Sequence, residues 1–289
     1  MYSTIYKCIF ISIILYSLSS CSSHSTKENA INSDSIAFNA LTIKDSVFIN
    51  AEHPSEGKYR FKLNAVYPSH YKDSVLTNKI IALFSKAVID LNYNPDSTSI
   101  KHLFKSYVKN NINQFSAPST DGEEECEPFS HEENNAILNY SCEIKISPYF
   151  NQNNILCISK EKINYRNNQI STKDNYYYNF NLLTMEQIEL NNLFSEEQIS
   201  QINELLKAAL MRQLKVTDED DLVEIGYFNI DNLMANNNFR IDSKGLTWTF
   251  LPLEIACFNV GDVNIFLSYA TLEKFIPEDC ILHQFTPKK

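Results

Sequence analysis

Side chains that commonly perform catalysis are present in this sequence, but their spacing does not match known catalytic motifs. The six histidines are scattered, and none has a second histidine four residues further along the chain. The patterns GxSxG, HExxH, GxxxxGK(S/T) and GxGxxG are all missing, and Gly226, Gly245 and Gly261 stand alone. We therefore predict no catalytic residue, no metal site and no cofactor, and we expect a protein that is not an enzyme.

Acidic side chains are abundant, and three of them, Glu123, Glu124 and Glu125, are consecutive. They lie in residues 116–135, where the periodicity of the neighbouring segments breaks, so we predict an exposed acidic loop. Such a loop is either a solvated connection or a ligand-binding patch, and these three glutamates are candidate binding residues. A glycosidase-type pair of carboxylates can be hidden in a fold, so an enzyme acting on envelope polysaccharide is the alternative.

A run of aromatic side chains, Tyr176, Tyr177 and Tyr178 followed by Phe180, is the second candidate binding feature. Exposed tyrosine rings can stack on sugar rings, and we select Tyr176 and Tyr178 as candidate ligand-binding residues. Alternate residues of a strand face opposite sides of the sheet, so about half of the run should belong to the core.

Five cysteines remain after Cys8 and Cys21, which belong to the N-terminal segment, are set aside. They are Cys126, Cys142, Cys157, Cys257 and Cys280. Two disulfides with one thiol left over are possible in an oxidising compartment, and the pairing is open. No pair has CxxC spacing, so neither a zinc site nor a redox pair is indicated.

The first 20 residues have the organisation of a secretory signal peptide. Lys7 supplies the positive charge, an apolar run extends over residues 9–15, and small residues follow. The sequence Leu18-Ser19-Ser20-Cys21 resembles the lipobox of bacterial lipoproteins, which implies cleavage before Cys21 and a lipid on its thiol. Residues 21–40 are rich in Ser, Asn and Thr, which predicts a flexible tether. Ser22 follows the cysteine where aspartate would favour the inner membrane, so we expect the outer membrane, on its periplasmic or surface face.

The formal net charge of the chain is −10. Because no cluster of basic residues occurs along the sequence, we expect no nucleic-acid partner. A cationic ligand is electrostatically favoured.

Residues 41–289 predict one α+β domain, an antiparallel sheet packed against about three amphipathic helices. Strict alternation from Tyr59 indicates a strand, with residues 43–49 as its hairpin partner. Helical spacing begins at Ser74, at about Ser97 and at Ser195, the last with a capping box. Strands are expected at 137–146, 155–165, 176–183, 239–241, 246–251 and 263–267. Strands and helices come in blocks, which favours α+β over a doubly wound sheet.

The stretch 245–258, followed by Gly261, resembles a domain shared by the anti-sigma factor RsiV and the N-terminal region of the peptidoglycan deacetylase PdaC. Glu254, Ile255 and Ala256 match the family's Tyr-Glu-Ile-Ala-Pro-Tyr motif, whose tyrosines and proline are replaced by Leu253, Cys257 and Phe258. The resemblance covers about residues 57–276. It implies two family halves, about 57–165 and 166–276, folded as one unit.

The same resemblance implies a module for binding or sensing in the cell envelope, because RsiV-like proteins recognise lysozyme. We expect a lipid-anchored module that binds either a lysozyme-like cationic protein or cell-wall glycan such as peptidoglycan. The family's glycine- and histidine-containing turn is replaced here by residues 165–169, so no role of that histidine is transferred.

Overall fold

Nine strands and six α-helices form the fold in the residues that the computed structural model describes, 36–115 and 138–287. The strands are β1 (Ala37–Phe48), β2 (Gly57–His70), β3 (Leu138–Gln152), β4 (Ile155–Arg166), β5 (Gln169–Asn181), β6 (Glu186–Ile188), β7 (Phe239–Ile241), β8 (Gly245–Phe250) and β9 (Val263–Ser268). The helices are α1 (Ser74–Ile89), α2 (Ile100–Asn113), α3 (Leu190–Leu193), α4 (Glu196–Leu214), α5 (Glu219–Glu224) and α6 (Tyr269–Leu272).

The larger sheet has six strands in the order β1 to β6. Its neighbours are antiparallel except β2 and β3, which run parallel from Gly57 opposite Leu138 to Ala65 opposite Ile146. A parallel pair needs a long crossover, and the chain between these two strands contains α1 and α2. The predicted α+β class and the predicted β1–β2 hairpin are confirmed, whereas the parallel pair was not part of the expected antiparallel sheet.

Helices α1 and α2 cover one face of this sheet, and their ends are fixed by local side chains. The Asp73 carboxylate accepts the Leu76 N–H at 2.8 Å, and the Ser99 hydroxyl accepts the His102 N–H at 3.3 Å. Their apolar stripes pack on alternate residues of β2 and β3, such as Phe61, Leu63 and Ile144. This contact forms the first hydrophobic core, and no helix of residues 36–115 and 138–287 covers the opposite side of β1–β3.

A second core lies between α4 and the small antiparallel sheet β7–β8–β9. Trp248 and Leu206 are fully buried in it, since one face of the small sheet is apolar. The predicted capping box at the start of α4 is confirmed, with Ser195 accepting the Gln198 N–H and Gln198 accepting the Ser195 N–H.

The first strand begins at Ala37, and Ile36 before it is buried. Residues 37–40, which were expected to belong to the tether, therefore belong to β1. A register shift between Ala37 and Phe38 interrupts the alternation that continues with Leu41 and Ile43, so this alternation does not mark the start of the strand. Within residues 36–115 and 138–287, no helix is long and apolar enough to cross a membrane.

Candidate binding surface on the open face of the large sheet

The side of β1–β5 that faces away from α1 and α2, here called the open face, is polar. Strand register sets the open-face side chains in rows across the sheet, and each row runs from β1 towards β5. One row contains Ser46, Arg60, Ser141 and Tyr165; the next contains Lys44, Lys62, Glu143, Ile163 and Lys173; a third contains Thr42, Asn64, Lys145, Glu161 and Asn175. Because a sheet holds such side chains at fixed spacing, the open face is a rigid platform for a polar ligand.

Two cavities lie on the part of the open face that β1, β2 and β3 form. The larger, of about 430 Å³, is lined by Lys44, Arg60, Lys62, Ser141 and Tyr165 among others. The smaller, of about 340 Å³, is lined by Thr42, Asn64, Lys145 and Ser147. Both volumes lie in the range typical of small-ligand sites.

Further along the same face, an arginine contacts two neighbouring tyrosine rings. The Arg240 guanidinium is 5.4 Å from the Tyr149 ring centroid and 5.3 Å from that of Tyr177, within cation–π range. The two rings meet edge to face at 5.8 Å. Arg240 Nη1 also donates to the Tyr177 hydroxyl at 3.2 Å and to Asn264 Oδ1 at 3.4 Å.

A β-bulge explains how Tyr149 reaches this position. Pro148 pairs with Ile158 and Phe150 pairs with Cys157, so Tyr149 is an extra residue in β3. A β-bulge changes the direction in which the side chain at its site points. Tyr149 is 45% exposed, and its ring contacts that of Tyr177. We call Tyr149, Tyr177, Arg240, Asn264 and Asp262 the polar junction, because they join the large sheet to the small one.

The junction is held together by amide and hydroxyl groups. Thr249, fully buried, donates to Asn264 Oδ1 at 2.8 Å. Asn175 on β5 donates to Asp262 Oδ2 at 2.6 Å. Two buried atoms, Arg240 Nε and Asp262 Oδ1, have no protein partner among the described residues. Buried groups of this kind are usually satisfied by water or by a ligand.

Asp262 in the junction and Glu254 beside it are carboxylic acids with raised pKa values. Burial raises the pKa of Asp262, and the negative charge of Asp174 adds to this effect, while the hydrogen bond from Asn175 opposes it. Burial likewise raises the pKa of Glu254, and the negative charge of Asp262 adds to it. An acid with a raised pKa near an aromatic surface is one element of glycosidase chemistry.

The structure places the predicted tyrosines on the other face of the sheet. Tyr178 packs against the first core, and burial raises its pKa to about 12. Tyr176 shares that side, because residues 176, 178 and 180 alternate with 177 along β5. The binding role of Tyr176 and Tyr178 stays a prediction, and Tyr177 is the ring that faces the junction.

Lys160 occupies a half-buried position on that same helix-covered side. Its Nζ donates to the Val88 carbonyl near the end of α1 at 2.8 Å and lies 5.2 Å from the Tyr107 ring centroid. Burial lowers the pKa of Lys160 to about 8, and the positive charge of Lys162 adds to this effect. The contacts show that Lys160 connects the helices to β4.

Five other residues for which the sequence predicts a role lie outside the described residues. They are Cys21, Glu123, Glu124, Glu125 and Cys126. The remaining four cysteines are free thiols, with Cys142 and Cys157 buried and Cys257 exposed.

Comparison with known proteins agrees with this fold. Residues 191–270 match the family model described as a protein of unknown function, DUF3298. The chain is similar in structure to a DUF3298 family member from Bacteroides fragilis, with 18% sequence identity, a TM-score of 0.68, and coverage of 89% of this chain and 100% of the other. It is also similar to a DUF3298 family protein from Pseudomonas aeruginosa, with 10% identity, a TM-score of 0.56, and coverage of 89% and 99%. No curated protein is significantly similar to the chain.

The matched segment contains the small sheet and therefore Arg240, Asp262 and Asn264 of the polar junction. At these identities the solved structures establish the fold alone. Only the residues of the surface itself can therefore indicate the function.

Proposed function

We propose that this protein is a non-catalytic binding module of the cell envelope that holds cell-wall glycan on the open face of its larger sheet. The observation that carries the proposal is the polar junction, where Tyr149 and Tyr177 both contact Arg240 beside two asparagines. Tyrosine rings offer apolar faces to sugar rings, while guanidinium and amide groups offer directional hydrogen bonds to hydroxyl and acetamido groups. The rows of serine, threonine and asparagine on β1–β4 extend this surface.

The proposed location in the envelope depends on Cys21 and the signal-like residues before it. A lipid on Cys21 would keep the domain at the membrane, close to the glycan of the wall. The experiment is cell fractionation of the full chain and of its Cys21→Ser variant. We expect the first in the membrane fraction and the second in the soluble fraction, and equal distribution would remove the lipid anchor from the proposal.

Glycan binding is tested by calorimetry with an N-acetylglucosamine oligomer and with soluble peptidoglycan fragments. Tyr149→Ala should weaken binding about 3- to 10-fold, because one aromatic contact contributes about 0.5–1.5 kcal/mol. The matched control is Tyr176→Ala, on the opposite face of the sheet, which should leave the affinity unchanged. If the protein binds neither ligand, glycan binding is contradicted. If Tyr149→Ala and Tyr176→Ala lose affinity equally, the open face is not the binding surface.

Two carboxylic acids support a second candidate function, which is that of an enzyme. The raised pKa values of Asp262 and Glu254 fit an acid that acts on envelope polysaccharide. Release of reducing ends from peptidoglycan, lost in Asp262→Asn, would establish this activity in place of simple binding.

A lysozyme-like cationic protein is the other proposed ligand, favoured by the net charge of −10. Its test is binding of lysozyme at low salt, followed by replacement of Glu123, Glu124 and Glu125 with glutamine. If these glutamates attract the cation, their replacement should slow association and reduce its dependence on salt.

A further inference from the structure

The open face of β1–β3 has the opposite charge to the protein as a whole. The chain carries a formal charge of −10, yet the open-face positions of these strands hold five cations and one carboxylate. The cations are Lys44, Lys58, Arg60, Lys62 and Lys145, and the carboxylate is Glu143. Asp45 also borders the larger cavity, but alternation directs its side chain to the other side of β1, and its carboxylate accepts the Ser46 N–H at 2.7 Å.

The strand register sets like charges against each other within this surface. Lys44 on β1 is directly opposite Lys62 on β2. Like charges in this arrangement destabilise a sheet. Glu143 neutralises only one of these two lysines. Its carboxylate accepts a hydrogen bond from Lys62 Nζ at 2.5 Å and another from the Asn64 amide at 3.0 Å. Among residues 36–115 and 138–287, Lys44 has no ion-pair partner.

Arg60 also keeps its charge available. Its Nη1 donates to Asn139 Oδ1 at 3.0 Å, and a neutral amide does not cancel the charge of a guanidinium. Arg60 and Lys44 both line the cavity of about 430 Å³, where Ser46, Ser141 and Tyr165 are also present. Lys145 lines the smaller cavity on the same face. Cations and hydroxyl groups therefore line the larger cavity, and Lys145 adds a further cation in the smaller cavity beside it.

We propose that this basic groove, defined as Lys44, Arg60, Lys62 and Lys145, binds a phosphate group of its ligand. A phosphate carries up to two negative charges and three oxygens that accept hydrogen bonds. It matches Lys44 and Arg60, which have no carboxylate partner in the part of the chain that the structure describes, with the hydroxyl groups of the cavity as neutral donors. Glu143 remains paired with Lys62 and holds that lysine at the edge of the groove. This inference is independent of glycan binding at the polar junction.

The phosphate can belong to a soluble sugar phosphate or to a lipid headgroup, and two arms of one experiment distinguish them. The full chain carrying Cys21→Ser is used, so that no lipid anchor contributes. The first arm titrates glucose 6-phosphate and, in parallel, glucose. The second measures co-sedimentation with phosphatidylglycerol vesicles and with phosphatidylcholine vesicles, which differ in net charge.

In at least one arm, we expect the protein to bind the anionic ligand and not its neutral counterpart. This binding should weaken as salt is added. Lys44→Gln combined with Arg60→Gln should weaken it at least about tenfold. The matched control is Lys101→Gln combined with Lys105→Gln, the same charge change on the exposed side of α2, and it should bind as the parent does. No anion-dependent binding in either arm, or equal losses in the two double variants, would overturn the proposal.

A stability measurement keeps the test interpretable if a variant binds poorly. Lys44→Gln removes the repulsion with Lys62, so its urea midpoint should equal or exceed that of the parent. Weaker binding with an unchanged or higher midpoint supports a binding role, whereas a lower midpoint shows that Lys44 stabilises the sheet and removes it from the proposal.

Discussion

Lys160 allows a quantitative test of the packing between the helices and the large sheet. Burial between Val88 and Tyr107 lowers its pKa from 10.5 to about 8. Between these two values the unfolded chain binds more protons at this site than the folded chain, so its contribution to stability rises with pH. The difference of the two pKa values corresponds to about 3 kcal/mol in total.

The perturbation is Lys160→Met, which keeps most of the side-chain volume and removes the titrating amine. The stability of the parent relative to this variant should increase by about 2–3 kcal/mol between about pH 7 and about pH 10. Burial raises the pKa of Cys142 and Cys157, which acts in the opposite direction, but both proteins share these thiols. The effect of Cys157 therefore cancels in the difference, whereas the effect of Cys142 cancels only in part, because the positive charge of Lys160 lowers the pKa of Cys142.

The assay is urea unfolding at several pH values under reducing conditions, followed by far-ultraviolet circular dichroism and by fluorescence of Trp248, the single tryptophan. Lys101→Met serves as the control, since it removes an exposed lysine from the outer side of α2. The loss of the hydrogen bond to Val88 adds a constant offset to the variant at all pH values. A stability difference that does not change with pH would refute the burial of Lys160 described above.

Three further expectations concern the small sheet and the thiols. A Cβ at Gly245 would lie 2.2 Å from the Leu267 carbonyl oxygen, so Gly245→Ala should lower the free energy of unfolding by at least about 2 kcal/mol, and an unchanged urea midpoint would contradict this close approach. Leu253 has φ of +71° at the third position of a turn, so Leu253→Gly should stabilise the fold by up to about 1 kcal/mol in thermal unfolding, and a loss would speak against strain there. A thiol reagent followed by peptide mass spectrometry should label exposed Cys257 in the native protein and Cys157, whose pKa burial raises to about 12, only after unfolding; equal labelling would show that β4 opens readily.

Local patterns predicted most of the elements, because their physical causes are local. Alternation along β2 marks its buried side, and the caps Asp73 and Ser195 start helices where the sequence predicts them. It was harder to predict which side chains of β5 face the helices. Residues 176 to 178 are all tyrosine, and a run of identical residues shows no alternation. Phe180, a single apolar residue between two asparagines, was the signal that could have fixed it, because its burial places the even-numbered residues on the helix side.

The candidate surfaces could not be predicted, because they join residues from separate strands. The polar junction combines residues of β3, β5, β7 and β9. Tyr149 reaches it because of a β-bulge in β3, and no local sequence pattern predicts that bulge. The basic groove was hidden in the same way. Lys58, Arg60 and Lys62 alternate along β2 in the sequence, but they form a basic surface only once β1 and β3 pair beside them.

The single parallel pair between β2 and β3 also determines how this sheet can assemble. The β1–β2 hairpin closes through residues 49–56, and β3, β4 and β5 are joined by two-residue turns, whereas Gly57 meets Leu138 only after the much longer intervening chain has been brought together. Closing that long segment costs chain entropy before the new hydrogen bonds form, so this step should be slow relative to the hairpins. The six-stranded sheet is thus two antiparallel halves joined along one seam, and the basic groove, which straddles β1, β2 and β3, exists only when that seam has closed.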